Sequence, residues 1–165
     1  MKEKNGEHPY GDAVQIVLFV LFLITWVYDS FFWHRSTVLS DTIPVSVRLI
    51  LAAIPVFTGF YLFRSCHFIT DKESRPDGVV STGVFAHVRH PLYLGAILFY
   101  LGLVLSTTSL FCLILFIVIF LFYDYIAGYE EKLLEIRFGE AYVEYKSRTG
   151  KWVPRVNRET GSKRI

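Results

Sequence analysis

Between residues 13 and 33 the chain places one charged side chain, Asp29, in 21 positions. A helix rises about 1.5 Å per residue, so such a run crosses the roughly 30 Å hydrocarbon core of a bilayer. It is too long for the apolar part of a signal peptide and lacks a small-residue cleavage site. Three further apolar runs follow. Residues 44–63 open on Pro44 and are interrupted by Arg48, whose stem lets the charge reach the interface. Pro55 and Gly59 within that run suggest a kink or a close helix contact. Residues 91–105 and 110–123 carry no charge, and Ser106-Thr107-Thr108-Ser109 between them predicts a tight turn in an antiparallel hairpin. Pro91 suits the first turn of a helix, where its missing N–H costs nothing.

A soluble domain of 165 residues could not hide a composition that is 53% hydrophobic and 19% charged, because too much of so small a body faces water. The expected fold is therefore all-α: one polytopic membrane domain over residues 1–165. Its spans fall near 13–33, 44–63, 91–105 and 110–126. Beyond Ala127, residues 129–148 alternate Leu133, Leu134, Ile136 and Phe138 with charged side chains, as an amphipathic helix leaving the membrane would, with Gly139 a possible break. Lysine and arginine cluster in residues 64–90 and in the tail, and the turn at 106–109 has none. The positive-inside rule then puts both termini and the long polar segment 64–89 in the cytoplasm, on the side where the tail can join it in one site. A formal charge of +2 gives no reason to invoke nucleic acid. Four short spans without targeting features suit a bacterial or archaeal cell membrane. Cys66 and Cys112 lie far apart without metal-site spacing and read as packing residues.

The chemistry concentrates at two places. Arg89-His90-Pro91-Leu92-Tyr93-Leu94-Gly95 sits where the third apolar run begins. A helix start with its unpaired N–H groups, flanked by Arg and His, favours an anion such as a carboxylate or phosphate; the same string also serves as an interfacial anchor beside a helix cap. Glu130-Glu131 follows the last span. Two carboxylates there could hold an amine or sulfonium, or form a solvated face with Glu135. Asp29 and Asp124 lie within a turn of their run ends and are expected to reach the interface. No glycine-rich phosphate loop, zinc spacing, paired haem histidines or serine elbow is present, and a Rossmann-type domain has no room.

Gly83-Val84-Phe85, Arg89-His90-Pro91-x-Tyr93-x-Gly95, an apolar hairpin, Glu130-Glu131, then Phe138-Gly139-Glu140-x-Tyr142-x-x-Tyr145 together resemble the isoprenylcysteine carboxyl methyltransferase family, whose broader group includes phospholipid methyltransferases. The resemblance covers about residues 77–154. It implies S-adenosylmethionine as cofactor, bound on the cytoplasmic side around a helix hairpin. It further implies cofactor contacts from Asp77, Gly78, Val79, Val80, Phe85 (usually tyrosine there), His90, Pro91, Leu92, Tyr93 and Glu130. His90 and the adjacent helix start would hold the cofactor's carboxylate, and Glu130 its amino group. The eukaryotic enzymes carry a substrate-binding arginine four residues before that glutamate, where this chain has Ile126. Arg89 is then the candidate catalytic residue for an acceptor carboxylate. The implied activity is methyl transfer to a lipophilic acceptor entering between spans from the bilayer, an isoprenylcysteine-like carboxylate among the candidates. Two rivals stand beside it: a membrane lipid or sterol-type reductase using NADPH, with Lys72, Arg75 and Arg89 available to an extra phosphate, and a non-catalytic membrane scaffold.

Overall fold

The computed structural model describes residues 11–72 and 78–155. Helix α1 (Gly11–Val27) continues as a π-helical turn over Tyr28–Trp33, so the apolar stretch Gly11–Trp33 is one rod of 23 residues. After a polar connection with a 3-10 turn at Val38–Ser40 comes α2 (Val45–Lys72), apolar over Val45–His67. A 3-10 turn at Gly83–Ala86 leads to α3 (Pro91–Thr107), then α4 (Leu110–Phe138) and the short α5 (Glu140–Arg148). Three helices are long and apolar enough to cross a membrane; α3, with 17 residues, is shorter. At about 1.5 Å per residue α3 is roughly 25 Å long.

Several boundaries differ from the sequence expectation. The second apolar run was expected to end near residue 63, whereas α2 continues to Lys72; residues 64–72 contain no glycine or proline to stop it. The fourth span and the amphipathic segment form one unbroken helix as far as Phe138. The break falls at Gly139, which has φ 55° and ψ −131°, a conformation that favours glycine.

The molecule is apolar on its outside. Phe57 is 73% exposed, and Ile50, Ile54, Ile114 and Leu121 are also well exposed, an arrangement that water would not tolerate and lipid does. The interior is built from Phe22, Ile97, Tyr100, Val104, Cys112, Ile119 and Tyr123. With lipid outside, close van der Waals packing must hold helices together, and α2 with α3 forms the most extensive pair. At their crossing a Cβ on Gly59 would lie 2.7 Å from the Gly95 carbonyl oxygen. A side chain there would force the helices apart.

Asp29 ties the end of the bundle away from α3's N-terminus. It is 2% exposed and does not reach an interface as expected. Its carboxylate accepts from the Ser36 amide at 3.1 Å, from Ser109 Oγ at 2.6 Å and from Ser36 Oγ. Ser36 in turn accepts from the amides of Leu110 and Phe111. The end of α1, the connection and the start of α4 thus share one buried carboxylate, and its donors offset the cost of burying it. Asp29→Ala should lower bundle stability by about 1–3 kcal/mol, measured as reversible unfolding in mixed micelles. An unchanged midpoint would show that this junction contributes nothing to stability.

Candidate functional site

The turn before α3 is held from outside by the tail. Val88 pairs with Gly150 in an isolated parallel bridge, and the Arg89 amide donates to the Gly150 carbonyl at 2.9 Å. Tyr145 Oη donates to the Phe85 carbonyl at 2.7 Å. Gly150 is required sterically: a Cβ there would lie 1.8 Å from the Val153 carbonyl oxygen. Lys151 Nζ and Trp152 Nε1 both bond Asp124 Oδ1, at 2.6 and 2.9 Å, so the tail also fastens to α4. Asp124, expected at an interface, is the anchor for that segment.

Beneath this clasp Glu131 collects three basic side chains. Arg89 Nε donates to its Oε1 at 2.9 Å, His90 Nε2 lies 3.2 Å from the same oxygen, and Lys146 Nζ lies 3.2 Å from Oε2. Lys146 also bonds Glu135 at 2.6 Å, and chiefly for that reason its ammonium pKa lies above the usual lysine value. The geometry follows from periodicity. Glu131 and Glu135 are one turn apart on α4, and the reversal at Gly139 brings Lys146 back against that face. Arg89 also donates through one terminal nitrogen to the carbonyls of Lys146 and Thr149. Tyr145 is part of the same packing, and burial pushes its phenol up to about 12.

Glu130, the adjacent carboxylate, faces differently. Its side chain is 20% exposed, Tyr93 Oη donates to its Oε1, and His90 Nδ1 lies 3.7 Å from its Oε2. The His90 ring thus sits between two glutamates. It stacks on Tyr93 with centroids 5.7 Å apart and planes within 8°, and Trp152 approaches to 5.9 Å. Tyr93 continues to Tyr123 at 5.3 Å, towards the bundle interior. Pro91 is buried at the first helical position and α3 opens without a side-chain cap, so its first amides offer hydrogen-bond donors at this level.

The residues anticipated from sequence are partly gathered. His90, Pro91, Tyr93 and Glu130 converge, and Phe85 is attached to them through Tyr145 and the tail. Gly78 is exposed, with Val79 and Val80 half-buried, on the approach to the 3-10 turn; Asp77 lies outside the described residues. Leu92 turns the other way, into a groove against α2. Arg89 is directed at Glu131 and two carbonyls, with its side chain 7% exposed. Ile126 is buried at 2% exposure. The sequence reading missed Glu131 as the hub, with Lys146 and Trp152 around it; the Glu131–Glu135 spacing ahead of Gly139 was the available signal.

Truncating Glu131 leaves buried cations without a counter-charge, a change that costs about 3–5 kcal/mol for a buried pair. Glu131→Ala should therefore unfold this end of the bundle at markedly lower temperature, with Glu131→Gln in between. Limited proteolysis between residues 139 and 155 reads the effect locally, and wild-type resistance in Glu131→Ala would rule out this role.

The model of the phospholipid methyltransferase family matches residues 42–141. Among curated proteins, the protein-S-isoprenylcysteine O-methyltransferase of Saccharomyces cerevisiae is 27% identical over 136 residues, 76% of this chain and 57% of the yeast protein. That of Schizosaccharomyces pombe is 28% identical over 54% of this chain and 39% of its own length. Protein-S-isoprenylcysteine O-methyltransferase B of Arabidopsis thaliana is 33% identical over 55% and 47%. The chain spans about half the length of these relatives. All three are eukaryotic, so they add no support for a bacterial or archaeal membrane. The matched region holds α2, α3, α4 and both glutamates, and the chain belongs to the phospholipid methyltransferase family.

Proposed function

We propose that the protein is an integral membrane methyltransferase that uses S-adenosylmethionine to methylate a lipophilic acceptor. The observation that carries the reading is the convergence of His90, Tyr93 and Glu130 at the opening of α3 in a chain of this family. The donor set fits the cofactor. A partly exposed carboxylate suits an ammonium or sulfonium, uncapped helix amides suit a carboxylate, and the Tyr93, His90 and Trp152 rings offer faces to a flat or cationic group. When bound, the cofactor supplies a sulfonium methyl, which an acceptor nucleophile takes while the carbon–sulfur bonding pair stays on sulfur.

The chain's own residues bind and position. Glu130 holds the amino group, oriented by Tyr93 Oη. The resemblance gives His90 the cofactor's carboxylate. Since its ring nitrogens already face Glu130 and Glu131, we assign that anion to the first amides of α3 and give His90 the placing of Glu130. Arg89 then acts as a positioning residue, fixing the turn through Glu131 and the tail carbonyls, rather than meeting the acceptor. Residues 78–80 and Phe85 line the approach. Much of the acceleration comes from holding two reactants in line in a dry site. The charge bias of the polar segments puts this end of the bundle, with both termini, on the cytoplasmic side.

Arg89 is one of three cations that an NADPH phosphate would need, and its engagement with Glu131 favours S-adenosylmethionine over the reductase reading. Glu130→Ala and His90→Ala should weaken S-adenosylmethionine binding by about tenfold to a hundredfold, the loss of one charge-assisted contact. Calorimetry on protein in lipid nanodiscs checks this, with NADPH titrated in parallel. Wild-type affinity in both variants would defeat the assignment. Incubation in native lipid with labelled cofactor, followed by identification of the labelled product, names the acceptor.

A further inference from the structure

The tail beyond α5 is held in two different ways. Its root is buried: Thr149 is 4% exposed and its amide donates to the Tyr145 carbonyl at 3.0 Å, while Gly150 pairs with Val88. The outer part, from Lys151 to Arg155, is half-buried or exposed and forms no helix or strand. Among the described residues, its polar ties to α1–α4 all converge on Asp124. Lys151 Nζ bonds the carboxylate Oδ1 at 2.6 Å and the Asp124 backbone carbonyl at 2.9 Å, and Trp152 Nε1 donates to the same Oδ1 at 2.9 Å. The Arg155 bond returns to Ser147 of α5. The Asp124 side chain is 47% exposed, so water competes for these bonds as it does not for those of Glu131. Trp152 stands between two environments. Its ring lies 5.9 Å from His90 and 6.1 Å from Phe120, which is one turn before Asp124 on α4. It flanks the polar constellation on one side and packs against the bundle's interior on the other. Glu130, beside His90, keeps 20% exposure, so the place of this indole governs how much water reaches both.

We propose that residues 151–155 are a gate on the cofactor site, with the Trp152 indole as its leaf and Asp124 as its latch. The inference rests on the methyltransferase reading above and adds a step to it. S-adenosylmethionine enters and leaves while the bonds to Asp124 are broken, and methyl transfer proceeds with the indole closed against His90, where it keeps water out. The contrast between root and outer part argues for movement. Opening breaks bonds to a half-exposed carboxylate, which water replaces at small cost, and uncovers part of one ring. The buried root, Arg89 and Glu131 stay as they are, so the frame of the site survives each opening. The latch also has a kinetic signature. Its contacts run from one part of the chain to another and none is made to the cofactor. Weakening them therefore destabilises the closed form equally with and without cofactor. Arrival and departure quicken together, and affinity hardly changes. A fixed wall residue behaves otherwise, since losing a direct contact quickens departure alone.

The test measures association of labelled S-adenosylmethionine, and its release into excess unlabelled cofactor, on the full chain in nanodiscs. Two variants are compared with wild type: Asp124→Ala, and Trp152→Phe, which keeps an aromatic ring but lacks the N–H donor. Each should raise both rates about tenfold while affinity stays within about threefold, as expected for losing a hydrogen bond to a charged group on the closed form alone. Asp124→Asn retains an acceptor oxygen for the indole and should fall between. A second measurement follows the leaf itself. Trp26, Trp33 and Trp152 are the chain's three tryptophans, so incorporated 5-fluorotryptophan gives three fluorine resonances, and Trp152→Phe identifies the one that belongs to the gate. In Asp124→Ala that resonance should move towards its value in water while the other two stay. If Asp124→Ala does not fold, Trp152→Phe carries the exchange measurement. Faster release with a proportionate loss of affinity makes Trp152 a fixed wall and overturns the gate, as does a Trp152 resonance unmoved in Asp124→Ala. A wild type that binds no S-adenosylmethionine overturns the methyltransferase reading and the gate with it. Normal wild-type binding with unaltered exchange in both variants overturns the gate alone.

Discussion

The site depends on one buried carboxylate. Glu131, 5% exposed, has Arg89, His90 and Lys146 within hydrogen-bonding or ion-pairing distance, and each comes from a different element: the turn before α3, the start of α3, and α5. Burying such a charge is unfavourable unless it is fully partnered, so each partner must stay in place for the others to be tolerated. That mutual requirement converts a sequence-distant set of residues into a fixed frame. Glu130, one residue earlier, is carried by the same helix but points to a more open face, and its neighbour supplies the rigidity it needs.

Two adjacent glutamates therefore differ in kind through helix geometry alone. About 100° of rotation separates consecutive side chains on a helix, enough to turn one into the clasp and leave the other 20% exposed beside Tyr93.

Much of the fold was legible in the sequence, because the bilayer imposes a coarse rule: long apolar runs, few charges, breaks at polar turns. The hairpin turn near 106–109 and the break at Gly139 followed from local residue chemistry. The site was legible where it is local, as in His90-Pro91-x-Tyr93, and at Glu130, where the resemblance supplied the link. It was not legible where it depends on pairing at a distance. Nothing in the string Glu130-Glu131 says which carboxylate turns inward, and that is decided by α5 folding back with Lys146. Asp29 misled for the same reason. A lone acid near a helix end reads as interfacial until Ser36 and Ser109 are known to converge on it.

The bridge between Val88 and Gly150 also bears on the order of assembly. The apolar helices α1 to α4 all precede residue 149 in the chain, so they can pack together before the clasp exists. Until Thr149 and Gly150 are synthesised, Arg89 lacks the carbonyl and the bridge that hold it, and the turn leading into α3 is unsecured. Packing of the bundle and completion of the site are thus separate events in this chain, and the second waits for a few residues that follow the last helix.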